Sequence, residues 1–197
     1  LGKKIAIASR GGSSELGLQL AFKKWNLDFN RVTLLSLGSS PTRMAALREG
    51  VVDATVFAYP ELIIATKEGF PTIADLRPYA DLTDTSVVIT RPTLEKQRPL
   101  LKRFLQGYVE AIARIKLNPE SAYRALSRYT GVTDRAALEE TRRFYADSFA
   151  SVPRTEMTGW RNLIATLGKS ENEMARFLDM SLLDELQREG FFERIAK

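Results

Sequence analysis

The chain contains neither cysteine nor histidine in its 197 residues. Without thiols there are no disulfides, no thiolate nucleophile and no thiolate metal site, although the compartment stays open because many periplasmic proteins also lack cysteine. Without imidazole there is no His-dependent triad, none of the common zinc geometries and no imidazole acid–base chemistry. Most enzyme classes thereby lose a required group. Long apolar runs are missing too: the longest, Val51 to Ala65, is interrupted by Asp53, Tyr59, Pro60 and Glu61, too broken to cross a bilayer. No P-loop string occurs, and Gly11-Gly12 does not match a dinucleotide fingerprint. The chain opens on Leu1 instead of Met, as a trimmed product would, which leaves room for a signal peptide ahead of it.

What is present is ordinary globular material, 44% hydrophobic and 27% charged, so neither disorder nor a membrane protein is favoured. The formal net charge is +5, but Lys and Arg are spread through helices with interleaved Glu instead of forming an aromatic-laced patch. Nucleic acid is therefore not an expected partner.

The first part alternates strand and helix. Lys3 to Ser9 (KKIAIAS) is a short buried strand running into Gly11-Gly12; Ser13 or Ser14 then caps a helix reaching Trp25. Val32 to Leu37 (VTLLSL) is a second strand, after which Gly38, Ser39, Ser40 and Pro41 turn into a helix from Thr42 to Glu49. Gly50 ends that helix, Val51 to Phe57 (VVDATVF) makes a third strand, and Tyr59 or Pro60 opens a helix to Glu68. A short strand over Thr72 to Ala74 and another over Thr85 to Thr90 (TSVVIT) complete the expected set. Single-helix crossovers require a mainly parallel sheet, hence an open α/β fold.

Beyond that the pattern is helical. Thr93 is expected to cap a long helix to Lys116, whose Leu100, Leu101, Phe104, Leu105, Tyr108, Val109, Ile112 and Ile115 recur as an amphipathic core stripe. Further helices are expected from Asn118-Pro119 to Tyr129, over Asp134 to Asp147 with Thr133 as cap, over Glu156 to Leu167 and over Leu182 to Glu189. Glu139, Glu140, Arg142 and Arg143 are expected on a solvated face.

In such a sheet the carboxyl ends of the strands and the amino ends of the helices share one edge, where ligands bind. Three loops meet there: Arg10 to Ser14, Ser36 to Arg43, and Ala58 to Glu61. The first two, rich in Gly, Ser and Thr, offer hydroxyls, backbone N–H groups and positive helix ends to an anion. Any one of these serines could be no more than a helix cap; their recurrence after successive strands is what points to a site.

Four segments carry a resemblance to a known family: LGKKIAIASRGGSSELGLQLAFKKWNL, PTRMAALREGVVDATVFAYPELIIATKEGF, VVITRPTLEKQRPLLKRFLQGYVEAIARIK and YTGVTDRAALEETRRFYAD. In that order they resemble the nitrate/sulfonate/taurine and pyrimidine-precursor solute-binding proteins of ABC importers. The resemblance implies a type II periplasmic-binding fold with ligand trapped between two lobes that close on a hinge. It implies that residues 1–80 form the second lobe, that 81–92 form a crossing strand or hinge, and that 93–197 form a helical section belonging to or bracing the first lobe. A further α/β segment would precede Leu1 and supply the rest of the ligand shell.

On this resemblance Arg10, Gly12, Ser13 and Ser14 form the first part of the ligand site, Ser39, Ser40 and Thr42 the second, and Tyr59 the third. Arg10 and Arg43 are candidate counter-charges, since a guanidinium offers paired donors to sulfonate, nitrate or carboxylate; Arg43 could equally be an exposed helix residue. Neither a cofactor nor a metal is implied. The implied partners are a small solute and ABC permease subunits, with membrane association only through the permease or a lipid anchor, in the periplasm or outside the cell. Two other readings share the fold: the ligand-sensing domain of a regulator or sensor, and a pyrimidine-synthesising enzyme. The compactness of regulator effector domains argues against the first, and the missing His and Cys against the second.

Overall fold

The computed structural model describes residues 2–79, 86–170, 172 and 177–195. The chain divides into two compact units, Leu1–Asp84 and Thr85–Lys197. The fold is α/β, a small parallel sheet in the first unit and helices throughout the second.

In the first unit β1 (Lys4–Ile7) lies between β2 (Thr33–Ser36) and β3 (Ala54–Thr55), both parallel to it. Ile5 pairs with Leu34 on one side and with Ala54 on the other. Central position explains the apolar run: Ile5, Ala6 and Ile7 are all buried, because a parallel strand with neighbours on both sides is covered on both faces. Helix α1 (Ser13–Lys24) lays Leu18 and Phe22 against Ile5, Ile7 and Leu34, and Trp25 and Phe29 close the cluster. Burial of each large side chain in this cluster contributes about 1.5–3 kcal/mol. Helix α2 (Ser40–Arg48) crosses from β2 to contact β1 and β3, and α3 (Glu61–Lys67) follows β3.

β3 is shorter than the expected Val51 to Phe57. Gly50, at φ +66°, ends α2 in a left-handed turn, and the N–H groups of Val51 and Val52 fold back onto Ala46 O. Pairing with β1 therefore begins only at Asp53, whose carboxylate accepts from Lys4 N at 2.8 Å and from Lys3 Nζ at 2.8 Å. The expected strand at Thr72 to Ala74 does not form: no ladder reaches it and Ile73 is exposed. Of the strand expected over Thr85 to Thr90, Thr85 lies outside the described residues, as do 80–84; residues 86–90 are exposed and belong to no ladder. In both segments β-propensity alone does not make a strand without a partner.

In the second unit the single long helix expected from Thr93 is two, α4 (Arg91–Lys96) and α5 (Arg98–Leu117). Thr90, not Thr93, is the cap: its hydroxyl accepts from Thr93 N at 3.3 Å. The break falls at Gln97 because Pro99 has no N–H to offer and crowds the carbonyl four residues back. Helices α6 (Pro119–Thr130), α7 (Arg135–Ser148), α8 (Met157–Thr166), α9 (Ser181–Arg188) and α10 (Phe191–Ile195) follow. Asp134, one residue beyond Thr133, caps α7 by accepting from Ala137 N at 2.7 Å.

The core of this unit gathers Val109 with Leu183, Leu186, Phe191 and Phe192. Around it Arg98 and Lys102 of α5 clamp α9: Lys102 Nζ reaches Glu185 at 2.5 Å, and Arg98 reaches Ser181 Oγ and Glu185 at 3.1 Å each. The expected core stripe on α5 is only partly core, since Leu100 and Phe104 are half exposed. Arg142 departs from the solvated face assigned to it. Its guanidinium is part-buried and donates to the carbonyls of Ile115 and Lys116, at 2.9 and 3.2 Å, closing the carboxyl end of α5.

Candidate functional site

The carboxyl edge of the sheet is built by the residues that follow each strand. After β1 and β2 the two chains stay paired for a further step, with Leu37 N donating to Ile7 O at 3.0 Å and Gly38 N to Ala8 O at 3.1 Å. That pairing brings the starts of the first two loops side by side. Arg43 ties the third in, its Nη1 donating to Val56 O, just past β3, at 2.9 Å.

At the start of α1 the expected serine cap is absent. Gly12 is the N-cap residue and provides no side-chain bond. Ser14 turns its hydroxyl back to accept from Ala8 N at 3.1 Å, securing the end of β1, and Ser13 is exposed with no hydrogen-bond partner for its hydroxyl among the described residues. The backbone N–H groups of Ser13 and Ser14 are likewise unpaired among the described residues, as befits a helix's first turn.

Sequence reasoning missed Glu15. Its carboxylate is buried, only 7% exposed, and accepts from Gly11 N at 2.6 Å and from Arg10 Nη1 at 2.9 Å. The Gly11 bond above all, helped by Arg10 and opposed by burial, holds Glu15 below the usual carboxylate range. Its position, third in the helix, is that of the carboxylate in a capping box, and this spacing was the available signal. Arg10 is accordingly no isolated counter-charge: Nη1 serves Glu15, and Nη2 donates to Leu34 O at 3.1 Å. Its side chain nonetheless remains 61% exposed.

The start of α2 is arranged differently. Ser39 is the true cap, accepting from Thr42 N at 3.4 Å and lying 2.8 Å from Thr42 Oγ1; both are exposed. Pro41, second in the helix, has no N–H to satisfy, and the N–H of Ser40 is unpaired among the described residues. Arg43 is not the exposed helix residue that its sequence left open. It is 7% exposed, donates through Nη2 to Ser40 Oγ at 3.0 Å, and stands 5.5 Å from the centre of the Phe57 ring. Its Nε is buried without a partner, and among the described residues no carboxylate forms a salt bridge with it. Burial pushes its pKa down from the ordinary guanidinium value, with the charge of Glu61 pulling the other way.

The third loop supplies Tyr59, half-buried and immediately before Pro60, the cap residue of α3. Tyr59 lies near enough to Arg77 to bear on its charge, a minor influence beside the Asp75 carboxylate that binds Arg77 directly. Helix α3 has seven residues and brings no comparable donor set. The edge thus presents N–H and O–H donors from two helix starts, with two guanidinium groups behind them. Among the described residues no group of three or more acidic side chains is placed to hold a metal ion.

Comparison with curated proteins and with solved structures returned no match. A family model described as NMT1/THI5 like matches residues 1–122, which takes in the whole sheet, both donor-bearing helix starts and the first two helices of the second unit. Members of that family are mostly solute-binding proteins, although THI5 itself is a pyrimidine-synthesis enzyme. With the match extending over more than half its length, the chain belongs to the NMT1/THI5-like family, a family of ABC-type solute-binding proteins for nitrate, sulfonates, taurine and pyrimidine precursors.

Proposed function

We propose that this chain is the substrate-binding component of an ABC importer, holding a small anionic or polar solute non-covalently and catalysing nothing. The observation that carries the reading is the set of donors unpaired among the described residues on one sheet edge, the N–H groups of Ser13, Ser14 and Ser40, within a solute-binding family. Helix starts of this kind favour oxygen acceptors: nitrate, sulfonate, a taurine-like headgroup or the carbonyl of a pyrimidine. Ser13, Ser14 and Ser40 contact the ligand directly in this reading. Arg10 adds its remaining guanidinium N–H groups, Gly12, Ser39 and Thr42 shape the floor, and Tyr59 forms a wall. Permease subunits are the protein partners, and the working compartment is periplasmic or extracellular, with or without a lipid anchor.

A thermal-shift series on the full chain against nitrate, methanesulfonate, taurine and a hydroxymethylpyrimidine tests this. A ligand bound only by the folded state stabilises by RT ln(1 + [L]/Kd), about 2.7 kcal/mol at a hundredfold excess over Kd. Stabilisation that grows with concentration for at least one compound is expected. A flat response to all four at high concentration would sink the reading.

A further inference from the structure

We propose that Arg43 fixes the hydrogen-bond polarity of the α2 site, holding Ser40 as an outward donor so that the site takes an acceptor oxygen, anionic by preference, and refuses an ammonium group. This rests on the ligand-binding reading of the sheet edge and adds to it a specificity-determining residue that does not itself need to touch the ligand.

A hydroxyl has one proton to give and two lone pairs to receive with. Arg43 Nη2 donates to Ser40 Oγ, and a guanidinium can only donate, so one lone pair is used and the hydroxyl proton is left for another partner. Ser40 also carries the first N–H of α2, unpaired among the described residues. One residue therefore offers two donors, and both are polarised by the same buried cation. The second observation is that cation itself. Arg43 is only 7% exposed, with Nε unpartnered among the described residues; its direct contacts are a carbonyl, a hydroxyl and an aromatic ring, and the Glu61 carboxylate acts on its charge without forming a salt bridge. A buried charge without a direct ion-pair partner is costly to keep, and the positive end of a nine-residue helix adds a field of the same sign. An oxyanion on Ser40 would relieve both at once. An ammonium there would meet two like-signed fields and, on Ser40, only the one hydroxyl lone pair that Arg43 leaves unused.

The start of α1 lacks this property, because the buried charge behind it is the Glu15 carboxylate, bound to Gly11 N and Arg10, and among the described residues no buried cation polarises its donors. The two starts are thus distinguishable in one experiment on the full chain. Amide resonances are followed while sodium methanesulfonate, and separately methylammonium, is titrated at constant ionic strength. Methanesulfonate is expected to move the Ser39, Ser40 and Thr42 amides along a saturable curve, and methylammonium to leave them in place. Arg43→Met should raise the methanesulfonate Kd at least about tenfold, equivalent to roughly 1.4 kcal/mol. Arg43→Lys keeps the charge and a donor, and should hold the loss to about threefold, a smaller step on the same scale. Ser40→Ala should lose about as much as Arg43→Met, and the double variant no more than either, because the two residues act as one unit.

Wild-type affinity in Ser40→Ala or in a natively folded Arg43→Met overturns the proposal, as do additive losses in the double variant or saturable binding of methylammonium. Should Arg43→Met fail to fold, Ser40→Ala and Arg43→Lys decide by the same criteria. Saturable shifts confined to Ser13 and Ser14, untouched by either Arg43 variant, overturn this inference while leaving the ligand-binding reading intact. Natively folded wild type that binds none of the solutes named above overturns both.

Discussion

At the start of α1 a carboxylate from the helix's third residue reaches back to the preceding loop; at the start of α2 a guanidinium from the fourth residue donates to the first. Both helices follow adjacent strands of one sheet and both point the positive ends of their dipoles at the same edge. A negative group at such an end is stabilising, and a positive one is destabilising by about 0.3–1 kcal/mol when exposed. The first start is therefore wired for stability, with its own anion in place. The second keeps a cation at the end where the helix dipole disfavours it, held there by its bonds to Val56 O and Ser40 Oγ. A bound anion at that end would offset the unfavourable dipole term.

Glu15→Ala should break the contrast most forcefully. It removes two charge-assisted hydrogen bonds from a buried carboxylate, leaves Gly11 N unpaired and is expected to destabilise the chain by about 2–3 kcal/mol in denaturant unfolding. A cost below about 0.5 kcal/mol, the level of an ordinary surface change, would mean that the internal anion is dispensable.

Acid titration sharpens the same point. Because the folded state holds the Glu15 pKa below its unfolded value, this carboxylate contributes stability above roughly pH 4.3, and the contribution fades as pH falls through the lower folded value. Other paired carboxylates, Asp53 and Glu68 among them, titrate in the same direction, so the measurement is the difference between wild type and Glu15→Gln. That difference should shrink on going from pH 6 to about pH 3; a constant difference would exclude a protonation origin.

Ser39→Ala tests the cap that α2 has and α1 lacks, with an expected loss of about 1 kcal/mol in the same unfolding assay. The smallest effect belongs to Ser13→Ala. Its hydroxyl has no partner among the described residues, so stability should move by less than about 0.5 kcal/mol. A larger loss would reveal a structural role for Ser13 and weaken its assignment as a ligand contact.

How much of this was legible beforehand differs by element. β1, α1, β2 and α2 could be read because apolar β-branched runs and Gly, Ser and Pro punctuation agree there with the tertiary structure. The segments around Ile73 and Val88 read equally well as strands, yet a strand exists only with a neighbour to bond, and sequence periodicity does not supply the neighbour. Pro99 was visible but its consequence, the break at Gln97, was overridden by a continuous apolar stripe. At the site, the loops and their serines followed from topology alone. The burial of Arg43 did not: a charged residue on a helix reads as solvated, and only the crossing of α2 over the sheet towards Val56 turns it inward.

The bond from Arg10 to Leu34 O has a bearing outside ligand binding. Thr33 N and Leu37 N donate to β1, so the alternation along β2 turns the Leu34 carbonyl to the outer margin, where no strand among the described residues pairs with it. A bare margin of that kind is a template for unwanted pairing with another chain. A guanidinium seated on the central carbonyl, with its charge still largely in water, makes such an approach a matter of displacing an arginine.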